Sequence, residues 1–261
     1  MTETSAPAPA APQLDFAGKV VFITGATTGI GQSVAEAFAA LGAKVFLASR
    51  RVPEETLVRI RAAGGTADYA QCDVTKPEQI AAAIDRTVEV FGRLDIAFNN
   101  AGVLPVTAPL LEQTLEDFEW TIATDLTGVF VCMQHEVREM LKVGGGSIIN
   151  TASVAGVVAD PGMSPYVAAK HGVVGLTKAA ALEYAQQNIR INAVAPAFVR
   201  TPMTEGWLED PAMREAVKGF NAQGRAADPD EIVGMVLLLA SPMASFMTGG
   251  VYAVDGGQTA H

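Results

Sequence analysis

Seven short, mostly apolar runs, at residues 20–24, 44–48, 66–72, 94–98, 147–151, 189–194 and 251–254, alternate with stretches of helical spacing. Near-continuous apolar runs suit strands that are buried on both faces. Helices are expected between them at 29–41, 54–63, 77–91, 115–141, 165–187 and 228–241. In the first, Val34, Phe38 and Leu41 recur at helical spacing. The second stops at Gly64-Gly65, and the third opens on Pro77, where a missing N–H costs nothing. Asp228 is the expected cap of the last helix, with Pro229 at its first position. Such alternation predicts an α/β protein: one doubly wound domain, with a seven-stranded parallel sheet and helices on both faces. The one long irregular stretch, 197–225, is expected to be a functional lid.

The chain has 261 residues, 49% of them hydrophobic and 18% charged, which is enough apolar material for a substantial core. Residues 1–16 are expected to be a disordered leader, Pro- and Ala-rich and without the basic and apolar regions of a secretory signal. Residues 17–261 then form the single domain. A net charge of −10 disfavours nucleic acid and anionic membrane surfaces as partners. The longest apolar stretch, 232–240, is far short of the ~20 residues of a membrane helix. Cys72 and Cys132 read as small buried hydrophobes, compatible with a reducing cytoplasm, and no Cys/His spacing suggests a metal.

Thr24-Gly25-Ala26-Thr27-Thr28-Gly29-Ile30-Gly31 joins the first run to the first helix. Three glycines at a strand-to-helix turn let the backbone from Gly25 through Thr27, Thr28, Gly29, Ile30 and Gly31 approach a pyrophosphate. The positive end of the helix then faces the anion. The turn therefore points to a dinucleotide. Its Gly-x3-Gly-x-Gly spacing differs from the common G-x-G-x-x-G and resembles the glycine motif of the short-chain dehydrogenase/reductase family. That resemblance implies a Rossmann-like fold.

The second run ends Ala48-Ser49-Arg50-Arg51. A carboxylate at its end would bind the adenosine 2′-hydroxyl and repel a 2′-phosphate. Ser49 stands there instead, and the Arg50 guanidinium can fork onto phosphate. NADP is therefore the expected cofactor, with NAD as the alternative. Asp73-Val74 is similar to a family pair whose Asp reaches the adenine amine. Asn99-Asn100-Ala101-Gly102 matches the family segment that floors the adenosine pocket, so Asn100, Ala101 and Gly102 are expected there. The resemblance also implies that Pro196, Val199 and Thr201 border the nicotinamide carboxamide. Relatives have Pro-Gly at that place where this chain has Pro196-Ala197.

Tyr166 and Lys170 are four apart on an expected helix and so share a face. A free phenol ionises near pH ~10, too high for a base at neutral pH. A neighbouring ammonium and an oxidised nicotinamide ring both favour the phenolate, making Tyr166 usable as a base for alcohol oxidation or an acid for carbonyl reduction. By resemblance, Lys170 also holds the nicotinamide ribose, and Ser153 hydrogen-bonds the substrate oxygen. The family's fourth catalytic member is Asn in a segment like Asn-Leu-x-Gly, where it helps hold a water linked to the Lys. Here the segment reads Asp125-Leu126-Thr127-Gly128. Asp125 keeps the acceptor oxygen and loses the amide donor. It is expected to accept from that water and favour protonated Lys170, or else to slow the relay or shift the pH optimum.

The resemblance covers residues 17–258. It implies an oxidoreductase that moves hydride between NADP(H) and a carbonyl or secondary alcohol, acting as a ketone reductase. An NAD-linked alcohol dehydrogenase and a non-catalytic dinucleotide-binding scaffold are the alternatives. An enoyl reductase is disfavoured, because that branch spaces its Tyr and Lys more widely. Phe198, Met203, Trp207, Leu208, Met213 and Phe220 suit an apolar or cyclic substrate, or else the lid's own packing. Relatives are often homotetramers joined through the two long helices and the C-terminal strand region.

Overall fold

All seven strands lie parallel in one sheet, in the order β3-β2-β1-β4-β5-β6-β7. They are β1 (Val20–Thr24), β2 (Lys44–Ser49), β3 (Thr66–Gln71), β4 (Ile96–Asn99), β5 (Gly146–Thr151), β6 (Ile189–Pro196) and β7 (Val251–Val254). This computed structural model describes residues 14–260. The chain runs outward from β1 to β3, then returns to place β4 on the other side of β1. Loops leaving β1 and β4 therefore diverge, and a crevice opens at the carboxyl ends of these strands.

Strand residues alternate between two cores. Val21, Ile23, Val45 and Leu47 face one side, where they meet Val34 and Phe38 of α1 (Gly29–Ala40) and Ile232 and Val236 of α9 (Asp230–Ala240). Phe22, Phe46 and Ile148 face the other, against Ile80 and Ile84 of α3 (Pro77–Phe91), Val137 of α5 (Gly128–Lys142) and Val173 of α6 (Ser164–Tyr184). Covering both faces explains why the strands carry so few polar residues. α2 (Glu54–Ala62) packs beside α1, and α4 (Leu115–Ile122) packs against α6.

Four local expectations are corrected. Residues 14–16 belong to the fold: Phe16 is 2% exposed, its ring meets Phe38 edge-on at 4.9 Å, and its N–H donates to Leu41 O. A single aromatic residue has no periodicity to reveal it. Residues 1–13 of the expected leader lie outside the described residues. The single helix expected at 115–141 is α4 and α5 joined by a π turn, Ala123–Thr127, which holds Asp125. The stretch 197–225 is not irregular, because it contains α7 (Glu205–Glu209) and α8 (Pro211–Gly219). Asp210 accepts the Ala212 N–H at 2.9 Å and Pro211 fills the first position, so α8 is well started although too short to show a clear period. Finally, the Asp228 carboxylate lies 3.5 Å from Arg200 instead of capping α9, and Glu231 reaches back to the Asp228 N–H at 2.9 Å.

A polar chain crosses the core beneath the crevice. Asn99 Nδ2 donates to Glu136 Oε2 and to Asn150 Oδ1, both at 3.0 Å, and Asn150 Nδ2 donates to Thr177 Oγ1 at 2.9 Å. Among the described residues, Glu136 Oε1 and Asn99 Oδ1 have no partner. Burial pushes the Glu136 carboxyl up to about 8, with the Asn99 bond opposing only part of the shift. Unfolded, the group ionises near ~4.3. The native state thus holds an extra proton between those values, so its contribution to stability is full below the unfolded value and is lost as pH rises toward about 8. Urea unfolding of the parent between about pH 5 and 8 should therefore show a downward slope of up to ~1.4 kcal/mol per pH unit that Glu136→Gln lacks. Parallel curves for the two proteins would contradict this.

Candidate active site

The first wall of the crevice is the turn between β1 and α1. Gly25 and Gly29 adopt φ of 69° and 61°, which side-chain-bearing residues rarely tolerate. A Cβ on Gly25 would lie 2.8 Å from Ala101 Cα, and one on Gly29 would lie 2.9 Å from Thr201 Cγ2. Gly31 sits behind the turn, where a Cβ would collide with the Gly25 carbonyl. The turn is tied to the loop after β4. Thr24 Oγ1 accepts from the N–H groups of Asn100 and Ala101 at 2.9 and 3.0 Å. Asn100 Nδ2 donates to Thr24 O and Gly25 O, each at 3.2 Å. Thr28, at the N-cap of α1, makes no side-chain cap bond. The helix therefore begins with backbone donors that no side chain has claimed, which suits an anion. A glycine cradle and an uncapped helix start fit a pyrophosphate.

At the β2 and β3 end, Ser49 is buried and its hydroxyl donates to Arg51 O at 2.7 Å. Arg50 and Arg51 line the cleft, and among the described residues neither guanidinium forms an ion pair. Asp73 and Val74 follow β3 on the same wall. Asp73 Oδ1 accepts from the Thr75 N–H and hydroxyl at 3.0 and 2.8 Å. Burial disfavours its charge, but those bonds and the nearby Arg50 and Lys76 prevail, leaving the carboxyl below its ordinary range.

At the β5 and β6 end, Ser153 follows β5 and accepts the Ala155 N–H at 3.1 Å. Tyr166 and Lys170, on the first turns of α6, both face the cleft. Lys170 is 3% exposed. Its Nζ donates to Thr151 O at 3.0 Å, lies 3.2 Å from Asp125 Oδ2 and stands 5.4 Å from the centre of the Tyr166 ring. Asp125 Oδ1 accepts the Val103 N–H at 2.8 Å. Burial opposes the Lys170 charge, yet Asp125 and Tyr166 outweigh it and raise the group above its ordinary value. Burial raises the Asp125 carboxyl, with Lys170 and the Val103 N–H opposing. The chain's own groups do not lower the Tyr166 phenol as expected. Burial raises it, and Asp125 works against the help given by Lys170 and Ser153.

Pro196, Val199 and Thr201 complete the cleft after β6. Thr204 braces this segment: its hydroxyl donates to Val199 O and accepts the Thr201 N–H at 3.1 Å. Every expected site residue except Gly31 lines the one cleft. Sequence reasoning missed Val103, Thr124, Thr151, Pro202 and Thr204, which also line it. Val103 follows directly on the Asn-Asn-Ala-Gly segment, which was the available signal. The lid's aromatics resolve into packing: Phe198 lies 5.7 Å from Trp207 and 6.4 Å from Phe220, in a small separate core with Leu208 and Val217. Of the six lid residues named from sequence, only Met203 lines the cleft.

Residues 25–259 match the family described as Enoyl-(Acyl carrier protein) reductase. The chain is 41% identical to a 2,5-dichloro-2,5-cyclohexadiene-1,4-diol dehydrogenase of Sphingobium indicum, over 94% of this chain and 99% of the relative. It is 42% identical to a cyclohexanol dehydrogenase of Acinetobacter sp., over 94% and 96% of the two chains. A solved structure from Agrobacterium tumefaciens, titled as a candidate 2-deoxy-D-gluconate 3-dehydrogenase with bound NADP, superposes with a TM-score of 0.88. It is 35% identical and the match covers 95% of this chain and 99% of that one. The chain belongs to the short-chain dehydrogenase/reductase family. It is an NAD(P)-dependent oxidoreductase acting between CH–OH and C=O. Gly29→Ala should lower stability by about 1–2 kcal/mol, since a Cβ there meets Thr201 and sits at positive φ. Urea unfolding checks this, and unchanged stability would contradict it.

Proposed function

We propose that the protein is an NADP(H)-dependent reductase of uncharged cyclic ketones, which it interconverts with secondary alcohols. The observation that carries this reading is the placement of Ser153, Tyr166 and Lys170 at one end of the cleft and two unpaired arginines at the other. A dinucleotide would be held along the carboxyl edge of the sheet. The turn from Gly25 to Ile30, with Thr27 and Thr28, would hold its pyrophosphate, and Gly31 allows that turn to close. Arg50, beside Ser49, would take a 2′-phosphate, and Asp73 and Val74 would border the adenine. Asn100, Ala101 and Gly102 would form the floor, and Pro196, Val199 and Thr201 would border the carboxamide. The nicotinamide would supply or accept the hydride.

The chain's own residues do the rest. The Ser153 and Tyr166 hydroxyls hold the substrate oxygen. In reduction, the phenol O–H bond of Tyr166 breaks and its proton passes to the alkoxide oxygen as the carbinol carbon receives hydride. Lys170 steadies the phenolate that remains. Val103, Ala197, Pro202 and Met203 supply apolar lining, and the only ammonium here, Lys170, is already paired with Asp125. That lining favours a neutral ring, in keeping with the cyclic alcohols for which the two relatives are named. The Tyr166 and Lys170 spacing of four, on one helix face, supports carbonyl chemistry over the enoyl reduction of the family description. Exposed Leu115, Phe118, Phe130 and Leu141 on α4 and α5, with Met243 and Phe246 near β7, suit a homotetramer, which light scattering would measure. Two buried free thiols suit a cytoplasmic location.

With cyclohexanone and each cofactor in turn, NADPH consumption should exceed that of NADH. Tyr166→Phe should lose on the order of 10³-fold in kcat, within the range typical of a lost acid–base group. Arg50→Glu with Arg51→Glu should shift preference toward NADH. Preference for NADH in the parent would favour an NAD-linked alcohol dehydrogenase, and substantial turnover by Tyr166→Phe would overturn the chemistry.

A further inference from the structure

Asp125 carries a charge where the resembling family carries an amide, and the structure shows what that charge touches. Its carboxylate is fully buried in the π turn between α4 and α5. One oxygen is fixed by the Val103 N–H, and the other lies 3.2 Å from the Lys170 ammonium, itself almost fully buried. An Asn of the same shape could keep the acceptor toward Val103, but it could not neutralise the ammonium. In a water-poor interior, charges at this separation act strongly on one another and on any third charge nearby. Lys170 is the only cation standing near the Tyr166 ring among the described residues, at 5.4 Å. A carboxylate against that ammonium turns a positive charge into a dipole, which favours a phenolate much less.

We propose that Asp125 is a positioning residue that ion-pairs with Lys170 and thereby keeps Tyr166 protonated to higher pH than an uncharged residue would, favouring proton donation to a carbonyl. The inference rests on Tyr166 acting as the acid–base group. Among the described residues, Lys170 and Asp125 are the charges that act on the phenol. The π turn contributes Asp125, α6 contributes Lys170, and the exit of β5 contributes the neutral Ser153 hydroxyl. On α4, Glu116 and Glu119 are exposed and Asp117 is held by Thr114. β6 presents only apolar residues near the cleft. The raised position of Tyr166, with Asp125 acting against Lys170, agrees with the geometry.

The test compares the parent with Asp125→Asn. The acid limb of kcat/KM for cyclohexanol oxidation should fall about one pH unit lower in Asp125→Asn, the scale of a single nearby charge. Ketone reduction by the variant should fail at correspondingly lower pH. A purely structural role for Asp125 would lower rates without moving either limb. Limbs that coincide, or that move to higher pH, would overturn the proposal. If Asp125→Asn does not fold, Asp125→Ser, which also lacks the charge, carries the same test. The chain has four tyrosines, so the phenolate absorbance of a protein minus that of its Tyr166→Phe counterpart isolates one group. Its midpoint should lie lower without the Asp125 charge than in the parent, and equal midpoints would contradict the proposal. Full activity in Tyr166→Phe would instead overturn the parent reading, leaving this titration to judge Asp125 separately.

Discussion

A buried ammonium needs compensation, and the way Lys170 obtains it organises the catalytic end of the protein. Its Nζ takes the Thr151 carbonyl at the end of β5 and the Asp125 carboxylate in the π turn. The other Asp125 oxygen takes the Val103 N–H in the loop after β4. One charge pair therefore joins a strand end, a helix interruption, a loop and α6. The π turn has a role in this light: it brings Asp125 of a long helical segment inward, toward a partner on α6. Removing either partner would leave the other charged and buried, which costs far more than loss of a surface ion pair.

The opposite end of the cleft depends on close backbone approach. Thr24 and Asn100 tie the loops leaving β1 and β4 together across the point where the strand order reverses. Gly29 lets Thr201, from the segment after β6, come against the glycine turn. The walls that would meet the pyrophosphate and the nicotinamide carboxamide are thus in direct contact with each other. Pro202, Met203 and Thr204 line the cleft, while the aromatics of the same segment are spent on a core of their own.

Much of this was legible in the sequence because it rests on short-range patterns. The strands appear as apolar runs, α1 follows a glycine turn, and Tyr166 with Lys170 shows helical spacing. What escaped is set by tertiary contact. Phe16 is a lone aromatic whose partner Phe38 lies on α1. The π turn at Ala123–Thr127 contains neither Gly nor Pro, so two helices read as one. α7 and α8 are five and nine residues long, too short for spacing to separate them from loop. Most instructive is Tyr166: four-residue spacing to a lysine suggests an acidified phenol, and the sequence already sets Asp125 with Lys170, but burial and that carboxylate hold the phenol up instead.

The account stands on hydride reaching a carbonyl carbon while a phenol protonates the oxygen, and the family description raises carbon–carbon double-bond reduction as the competing outcome. The most direct measurement uses 2-cyclohexenone with NADPH deuterated at the transferring position, the product being read by nuclear magnetic resonance. The account predicts 2-cyclohexenol with deuterium on the carbinol carbon and the double bond retained. Saturated cyclohexanone with deuterium at the β-carbon would contradict it.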